Sequence, residues 1–297
     1  MPNSRRDAIY RVRRVQRPKT NNRRPKTKDR RPSTKDRRPK THDNMIYYFS
    51  GTGNSRFAAN YLSRSLSENL KFIPDTDAVD EILIGESIGF VFPVYSWGVP
   101  PLVLDFVANL PEKFWNEVRT AQIPVWCVMT CGDEVALAPE MFEKVLKKKG
   151  VKAESIWSVI MPNNYVLLPG FDVDSKELEQ KKLADAPARL KEISQGIVQH
   201  RRVIDVVKGG IPDIKTKLVY PLFKKWGIFP KKWHSTSSCV GCGICVGSCP
   251  LNNVVMTDGV PKWGDKCCSC LACYHSCPRH AVEYGKITGK KGQYFFK

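Results

Sequence analysis

Short apolar runs alternate with stretches of helical periodicity from residue 45 onwards. Residues 45–49 form an apolar, aromatic run typical of a buried strand, and apolar positions then recur at helical spacing over 56–67. The alternation continues, and it predicts strands at 82–93, 123–130 and 151–161 and helices at 100–110, 139–149 and 175–202, the last broken near Pro187. Strands that alternate with helices predict an α/β domain, in which a parallel sheet carries helices on both faces.

The first 44 residues lack this pattern. They carry 17 Lys and Arg against 4 Asp, and a seven-residue unit with one proline recurs from Gln16 to Asp43, so this stretch predicts a disordered basic tail. Such a tail could bind nucleic acid or an anionic surface, or it could be an extension with no role in the chemistry. We favour a third interpretation, in which Met45 is the natural start and the repeat is upstream DNA read as protein. No nucleic-acid partner is therefore expected.

Polar and aromatic loops follow four of the predicted strands at their carboxyl ends, where ligands bind in sheets of this class. The first loop joins a strand to a helix, a geometry that aims backbone N–H groups at an anion. Its residues are Ser50, Gly51, Thr52, Gly53, Asn54 and Ser55, and they match neither common nucleotide-binding fingerprint. The second loop is Tyr95, Ser96, Trp97 and Gly98, the third is Cys131, Gly132 and Asp133, and the fourth is Pro162, Asn163, Asn164 and Tyr165. Together they favour a flavin mononucleotide (FMN) site, although each aromatic taken singly is more typical of rim packing.

Two cysteine runs with the same spacing lie 28 residues apart near the C-terminus. Each reads C-x-x-C-x-x-C-x-x-x-C-P, the pattern of bacterial ferredoxins in which the fourth cysteine of each run ligates the other run's [4Fe–4S] cluster. We therefore assign one cluster to Cys239, Cys242, Cys245 and Cys277, and the other to Cys267, Cys270, Cys273 and Cys249. Cys268 is interpreted as a bystander. Two zinc sites or a disulfide scaffold are the alternatives. Zinc sites rarely need three cysteines in one run, and the chain shows no secretory signal peptide, so we expect a reducing cytoplasm.

The loop motifs also resemble those of flavodoxins. The matching stretches are IYYFSGTGNS at 46–55, FPVYSWGVP at 92–100, MTCGD at 129–133 and MPNNY at 161–165. With both cysteine runs, residues 45–297 resemble the flavodoxin–ferredoxin fusion proteins of anaerobic bacteria and archaea, the EFR-type ferredoxins. The resemblance implies a doubly wound parallel sheet of order 2-1-3-4-5, followed by a small α+β ferredoxin-like domain with two clusters. It also implies that the first loop contacts the FMN phosphate, and that the second loop and residues Thr130, Cys131, Gly132 and Asp133 contact the ring.

These expectations divide the chain into a basic tail at 1–44, an FMN-binding domain at 45–202, a linker at 203–234 and a two-cluster domain at 235–297. We expect an electron carrier that moves electrons between the clusters, FMN and a redox partner protein. The alternative is an FMN-dependent reductase of a small molecule, with Tyr95, Asp133 or Tyr165 as proton donor, so whether the chain is an enzyme stays open.

Apolar runs are too short to span a bilayer. In the linker, lysines alternate with aromatics, and we favour docking of these aromatics on the two domains over contact with a membrane surface or single-stranded nucleic acid.

Overall fold

The computed structural model describes residues 44–76, 86–227 and 230–296. The predicted basic tail lies outside these residues. Thr41–Lys297 form one compact unit. In the part of the unit that is described, no helix is both long and apolar enough to cross a membrane.

Six parallel strands form the central sheet in the order β2-β1-β3-β4-β5-β6. Their bounds are β1 Met45–Tyr48, β2 Asn69–Phe72, β3 Ile88–Pro93, β4 Val125–Cys131, β5 Ser155–Ile160 and β6 Val203–Asp205. The first five follow the order 2-1-3-4-5, so the predicted flavodoxin-like topology is confirmed. The apolar runs did not reveal β2 and β6, because these edge strands are largely half-exposed and short.

Helices cover both faces of the sheet. Their bounds are α1 Asn54–Leu66, α2 Pro101–Asn109, α3 Glu112–Thr120, α4 Ala138–Lys148 and α5 Lys176–Val198. On one face, α2, α3 and α4 bury Trp115 and Phe142 in a core with Phe90 of the sheet. On the other face, α1 and α5 pack on a second core around Trp126 and Trp157. Two cores on opposite faces establish the predicted doubly wound arrangement.

Helix α5 runs without interruption through Pro187, so the predicted break near this residue is wrong. A proline inside a helix removes one backbone hydrogen bond and costs about 3 kcal/mol. Its neighbours Ala186, Leu190 and Ile193 are buried against the sheet, and this packing holds the helix together across the proline.

A helical segment follows β6. It consists of α6 Pro212–Ile214, a π-helical turn Lys215–Val219, α7 Tyr220–Leu222 and a second π-helical turn Phe223–Gly227. We call residues 207–225 the strap. Phe223 and Trp233 are buried, as docking of the linker aromatics predicts. Phe229 and the side chain of Trp226 lie outside the described residues.

The C-terminal region is small and mixes short strands with short helices, as the predicted α+β domain requires. Its elements are β7 Trp233–Ser235, α8 Ile244–Gly247, β8 Val254–Thr257, β9 Val260–Trp263, α9 Ala272–His275 and β10 Val282–Tyr284. Two antiparallel pairs result, β7 with β10 and β8 with β9.

The two cysteine runs fold alike. Helices α8 and α9 lie 28 positions apart, and each is preceded by a residue of positive φ, Gly243 at 74° and Leu271 at 62°. Ser248 and Ser276 occupy equivalent positions, and their hydroxyls hydrogen-bond to each other at 2.9 Å. The repeat of spacing in the sequence is therefore also a repeat of backbone structure.

Candidate functional site

A pocket of about 330 Å³ lies at the carboxyl ends of β1, β3, β4 and β5. The predicted cofactor-binding residues that line it are Ser50, Gly51, Thr52, Asn54, Ser55, Tyr95, Ser96, Trp97, Thr130, Cys131, Gly132 and Asp133. Gly53 and Gly98 do not line it, because Phe296 and the ring of Tyr220 stand against their backbones. The structure thus brings the first three predicted loops together around one cavity.

Other walls of the pocket come from residues that were not included in the predicted site. They are Pro93, Val94, Glu134, Pro162, Asn163, Asn164, Tyr165, Leu168, Gly170, Phe171, Asp172 and Cys270. The sequence predicts the loop after β5 at this edge of the sheet and offers Tyr165 as a proton donor, but it does not place the residues of this loop among the FMN contacts. Cys270 was assigned to a cluster alone, and nothing in the sequence places it beside the first loop.

The first loop ends at the N-terminus of α1. Gly53 precedes the helix with φ 103°, and no described side chain caps this end. The first N–H groups of an α-helix have no acceptor within the helix, so α1 offers unpaired donors and the positive end of its dipole. Asn54 and Ser55, the first two residues of α1, line the pocket. This end of the pocket is suited to an anion.

Two hydroxyls of the first loop are held by neighbouring loops. The Asn164 amide donates a hydrogen bond to Thr52 Oγ1, and Ser55 Oγ lies 2.7 Å from Thr130 Oγ1. Because the Thr52 hydroxyl accepts from Asn164, its own proton remains available to a ligand. The loops after β1, β4 and β5 are thereby tied to each other beneath the pocket.

The C-terminal segment also returns to the first loop. The Phe296 N–H donates to the Thr52 carbonyl at 2.8 Å, and the Tyr294 hydroxyl donates to Asn54 Oδ1 at 2.6 Å. The Tyr294 N–H donates to Nδ1 of His275, which lies in α9 of the second cysteine run, at 3.1 Å. Partners as much as 244 positions apart make these contacts (Thr52 and Phe296), which is why sequence patterns gave no sign of them.

His275 joins the second cysteine run to the pocket by a further route. Since its Nδ1 accepts a hydrogen bond, the proton of the neutral ring lies on Nε2, which donates to the Asn164 carbonyl at 2.7 Å. Burial lowers the pKa of His275 to about 4, so the ring is neutral at physiological pH. The first loop and α9 are therefore linked through Tyr294 and Asn164.

The second loop is a tight hairpin. Tyr95 and Gly98 exchange backbone hydrogen bonds of 2.8 and 2.9 Å across two residues of positive φ, Ser96 at 46° and Trp97 at 62°. This geometry is that of a type I′ turn. Position 98 has no room for a side chain, because a Cβ there would lie 2.4 Å from the ring of Tyr220.

Trp97 is held by the strap and by the third loop. Its Nε1–H donates to Glu134 at 2.9 Å, and its carbonyl accepts from the Thr216 hydroxyl at 2.7 Å. The Lys215 ammonium lies 5.5 Å from the centre of the indole ring. The strap thus sets the position of an aromatic wall of the pocket.

A buried lysine organises the third loop. The Lys182 side chain is 7% exposed, and its ammonium lies 2.8 Å from Asp174 and 3.3 Å from Asp133. A lysine buried to this extent requires such acidic partners. Gly132 packs so closely on Asn163 that a Cβ there would lie 1.8 Å from the amide oxygen. The Asn163 amide also donates to Asp133 Oδ2 at 3.0 Å, so Lys182 and Asn163 together orient the Asp133 carboxylate.

The hydroxyl of Tyr95 is buried and has no hydrogen-bond partner among the described residues. Burial, and then the nearby thiol groups of Cys270 and Cys268, raise the pKa of Tyr95 well above its ordinary value. Its hydroxyl therefore stays protonated and can donate a hydrogen bond, but no described residue near the second cysteine run accepts it. A bound group that supplies the acceptor would satisfy it.

The eight cysteines of the two runs line two smaller pockets in groups of four. One pocket, of about 20 Å³, is lined by Cys239, Cys242, Cys245 and Cys277. The other, also of about 20 Å³, is lined by Cys249, Cys267, Cys270 and Cys273, and Cys268 also reaches it. Each group combines three thiols of one run with the fourth thiol of the other, as in the ligand sets assigned above.

Nitrogen donors point at several of these sulfurs. The N–H groups of Asn253 and Ala281 donate to Cys249 and Cys277 at 3.3 and 3.2 Å. These two donors stand four residues after equivalent cysteines, so the repeat preserves them. Trp263 Nε1–H donates to Cys273 at 3.4 Å, and the Ser269 N–H donates to Cys267 at the same distance. Sulfurs that accept N–H hydrogen bonds are typical of iron–sulfur ligands.

Among the described residues, no group of three or more His, Cys, Asp or Glu side chains is arranged to hold a single metal ion. In a cubane each iron takes one cysteine, so the ligands of a cluster need not converge on one point as the ligands of a single ion do. Burial raises the pKa of Cys267 to about 11 and that of Cys273 well above its ordinary value. Such thiols remain protonated at neutral pH unless a metal stabilises the thiolate.

Three solved structures are similar to the first half of the chain. The Trp repressor binding protein from Bacillus subtilis is 14% identical with a TM-score of 0.35, and the match covers 50% of this chain and 97% of that one. A candidate flavoprotein from Bacteroides uniformis ATCC 8492 is 13% identical with a TM-score of 0.33, over 48% and 98%. A short-chain flavodoxin associated with a PDU bacterial microcompartment is 17% identical with a TM-score of 0.33, over 53% and 97%. No protein-family model and no curated protein matches the chain.

Proposed function

We propose that this chain is an electron-transfer flavo-iron-sulfur protein that moves electrons between two [4Fe–4S] clusters and FMN. The observation that carries the proposal is the position of Cys270. This residue lines the pocket at the carboxyl ends of the strands, and it also lines the pocket of the second group of four thiols. FMN in the first pocket and a cluster in the second would share Cys270 as a common wall.

The larger pocket suits FMN in size and chemistry. Its volume of about 330 Å³ lies within the range of small-molecule sites. The uncapped N-terminus of α1 and the Thr52 hydroxyl would hold the phosphate, and Tyr95 and Trp97 would border the ring. The amide of Asn54 donates to the Pro162 carbonyl at 2.9 Å, and its oxygen accepts from Tyr294, so we assign the phosphate contact at this position to the backbone N–H.

The two smaller pockets suit the clusters. Cys239, Cys242, Cys245 and Cys277 would hold one, and Cys249, Cys267, Cys270 and Cys273 the other. Four thiols in each pocket and N–H donors aimed at several of the sulfurs together match what such a cluster requires. Cys268 would remain a bystander whose thiol hydrogen-bonds to that of Cys270.

When bound, FMN exchanges electrons singly or in pairs and each cluster exchanges one, so together they supply conversion between one-electron and two-electron steps. The chain contributes close approach and exclusion of water. Gly51 of the first loop touches the backbone of Cys270, and only a residue without a side chain permits this contact. The Tyr95 hydroxyl is a hydrogen-bond donor at the same junction. An unidentified redox partner protein would exchange electrons with the cluster held by Cys239, Cys242, Cys245 and Cys277, which lies away from the FMN pocket.

Anaerobic purification followed by iron, sulfide and flavin analysis tests the proposal. We expect about eight irons and about one FMN per chain. Tightly bound zinc without sulfide would contradict the cluster assignment, and a chain that holds clusters but no flavin would contradict the FMN assignment.

A pair of variants tests the crossed ligand sets. Cys277→Ser should remove about half of the iron and leave the second cluster's paramagnetic signal intact. Cys268→Ser is the matched control, because it alters a neighbouring thiol outside both sets and should retain all the iron. Equal iron loss in the two variants would show that the assignment of ligands is wrong.

A further inference from the structure

The strap packs over the pocket loops with one side of its helical segment. Thr216, Tyr220 and Phe223 are buried, with exposed fractions of 7%, 4% and 7%. Tyr220 Oη also donates to the Val99 carbonyl at 2.5 Å. These contacts determine which side of the segment faces away from the protein.

The outward side carries a row of aliphatic residues. Ile211, Ile214, Leu218 and Leu222 have exposed fractions of 63%, 53%, 59% and 40%. They follow each other at intervals of three or four positions, which places them along one ridge of a helical segment. A contiguous apolar ridge, unlike a single exposed leucine, marks an interaction surface.

Lysines flank this ridge. Residues 214–233 contain six lysines and no acidic residue, and Asp213, directly before them, forms an ion pair with Lys217 at 2.5 Å. Lys215 is drawn inwards to Glu134, whereas the others are exposed; they are Lys217, Lys224, Lys225, Lys231 and Lys232. The surface is therefore both apolar and cationic.

We propose that the strap binds an anionic lipid surface, with the aliphatic ridge among the lipid chains and the exposed lysines at the headgroup phosphates. Basic helical segments with an aliphatic face bind membranes in this way. Protein interfaces are enriched in Tyr, Trp and Arg and depleted in Lys, but here the described aromatics face inwards and the outward residues are Ile, Leu and Lys. The basic tail has the same sign of charge as the strap, so it offers the strap no complementary charge. The proposal goes beyond the electron-transfer function, since it depends on neither cofactor.

Vesicle flotation of the full chain tests this binding. We expect binding to vesicles of phosphatidylcholine with phosphatidylglycerol and none to phosphatidylcholine alone. Combining Ile214→Glu with Leu218→Glu should lower the partition constant at least about tenfold. The control combines Val198→Glu with Val255→Glu, which adds the same charge at side chains 65% and 56% exposed elsewhere, and it should bind like the wild type.

Thermal melts establish that each variant folds, and Lys217→Gln with Lys224→Gln is a second variant that leaves the ridge untouched and should weaken binding. Equal binding by the wild type and both strap variants would assign the lipid contact to the basic tail and overturn the proposal. Self-association of the wild type that the Ile214→Glu, Leu218→Glu variant abolishes, without vesicle binding, would identify a second copy of the chain as the occupant and overturn it as well.

Discussion

Replacement of Gly51 by alanine tests the contact between the first loop and the second cysteine run. A Cβ on Gly51 would lie 2.4 Å from the carbonyl oxygen of Cys270 and 2.8 Å from its Cβ. Gly51 has no positive φ, so alanine fits the backbone conformation and the perturbation is steric alone. Neither neighbouring atom belongs to a flexible side-chain end. The loops themselves must therefore separate.

The size of the effect follows from these distances. An ordinary contact begins at about 3.4 Å, so the two loops must move apart by about 1 Å. Overpacking of this kind costs about 1–3 kcal/mol. In a chain of this size each kcal/mol lowers the melting temperature by roughly 2–4 °C, so a fall of roughly 2–12 °C is expected. If the first loop yields, FMN affinity should fall roughly 5-fold to 150-fold, at tenfold per 1.4 kcal/mol.

Thermal melts of the cofactor-free chain and quenching of FMN fluorescence on binding measure the two effects separately. Gly210→Ala is the matched control, because a Cβ there meets nothing within 4 Å and the residue needs no positive φ. The reasoning is refuted if Gly51→Ala and Gly210→Ala melt together and bind FMN equally well. The first loop would then not rest on Cys270.

Three further predictions concern polar groups. Tyr95→Phe should lower the potential of the second cluster by on the order of 50 mV in an electron paramagnetic resonance titration, because a donor near its sulfurs is lost, yet it should not destabilise the cofactor-free chain. Tyr294→Phe removes the 2.6 Å hydrogen bond to Asn54 and should weaken FMN binding several-fold by fluorescence titration, whereas unchanged affinity would show that the C-terminal segment does not support the first loop. Burial raises the pKa of Glu68 from 4.5 to about 7, and Oε2 has no partner in the described part of the chain. The folded state therefore favours the protonated acid, and stability should fall by roughly 3 kcal/mol as the pH rises from about 4.5 to about 8, a slope that Glu68→Gln should abolish in denaturant titrations.

The regular elements were predictable because their signals are local. The run at 45–49 became β1, and the glycine-rich loop became the start of α1, within two residues of the prediction. Buried central strands are apolar on both sides, and this composition is visible in any short window. Edge strands such as β2 and β6 are half-exposed and carry no such signal.

The arrangement of the candidate site was only partly predictable. The four loops could be placed at one edge of the sheet, because strands of a parallel sheet end together. The contacts that hold those loops could not be found, because they come from distant residues: Phe296 on Gly53, Tyr220 on Gly98 and Cys270 on Gly51. The sequence identifies these glycines as loop residues. It does not reveal why glycine is required at each position, because the reason is close contact with a residue that is distant in the sequence.

The duplicated cysteine runs share a backbone but not an environment. In the first run Cys242 is exposed, and Val240 and Ile244 are exposed by 64% and 45%. In the second run Cys270, the equivalent of Cys242, is half-buried and forms part of the larger pocket, and Ala272, the equivalent of Ile244, is fully buried. Solvent exposure and hydrogen bonds to sulfur tune the potential of a cluster, so two identical ligand patterns in these settings would differ in potential. In the proposed function the first run is therefore the side that meets a redox partner, and the second run is the side that meets FMN. The two cysteine runs supply equivalent ligand sets, but only the second run lies against the larger pocket. The proposed path of electrons therefore has FMN at one end and the redox partner at the other.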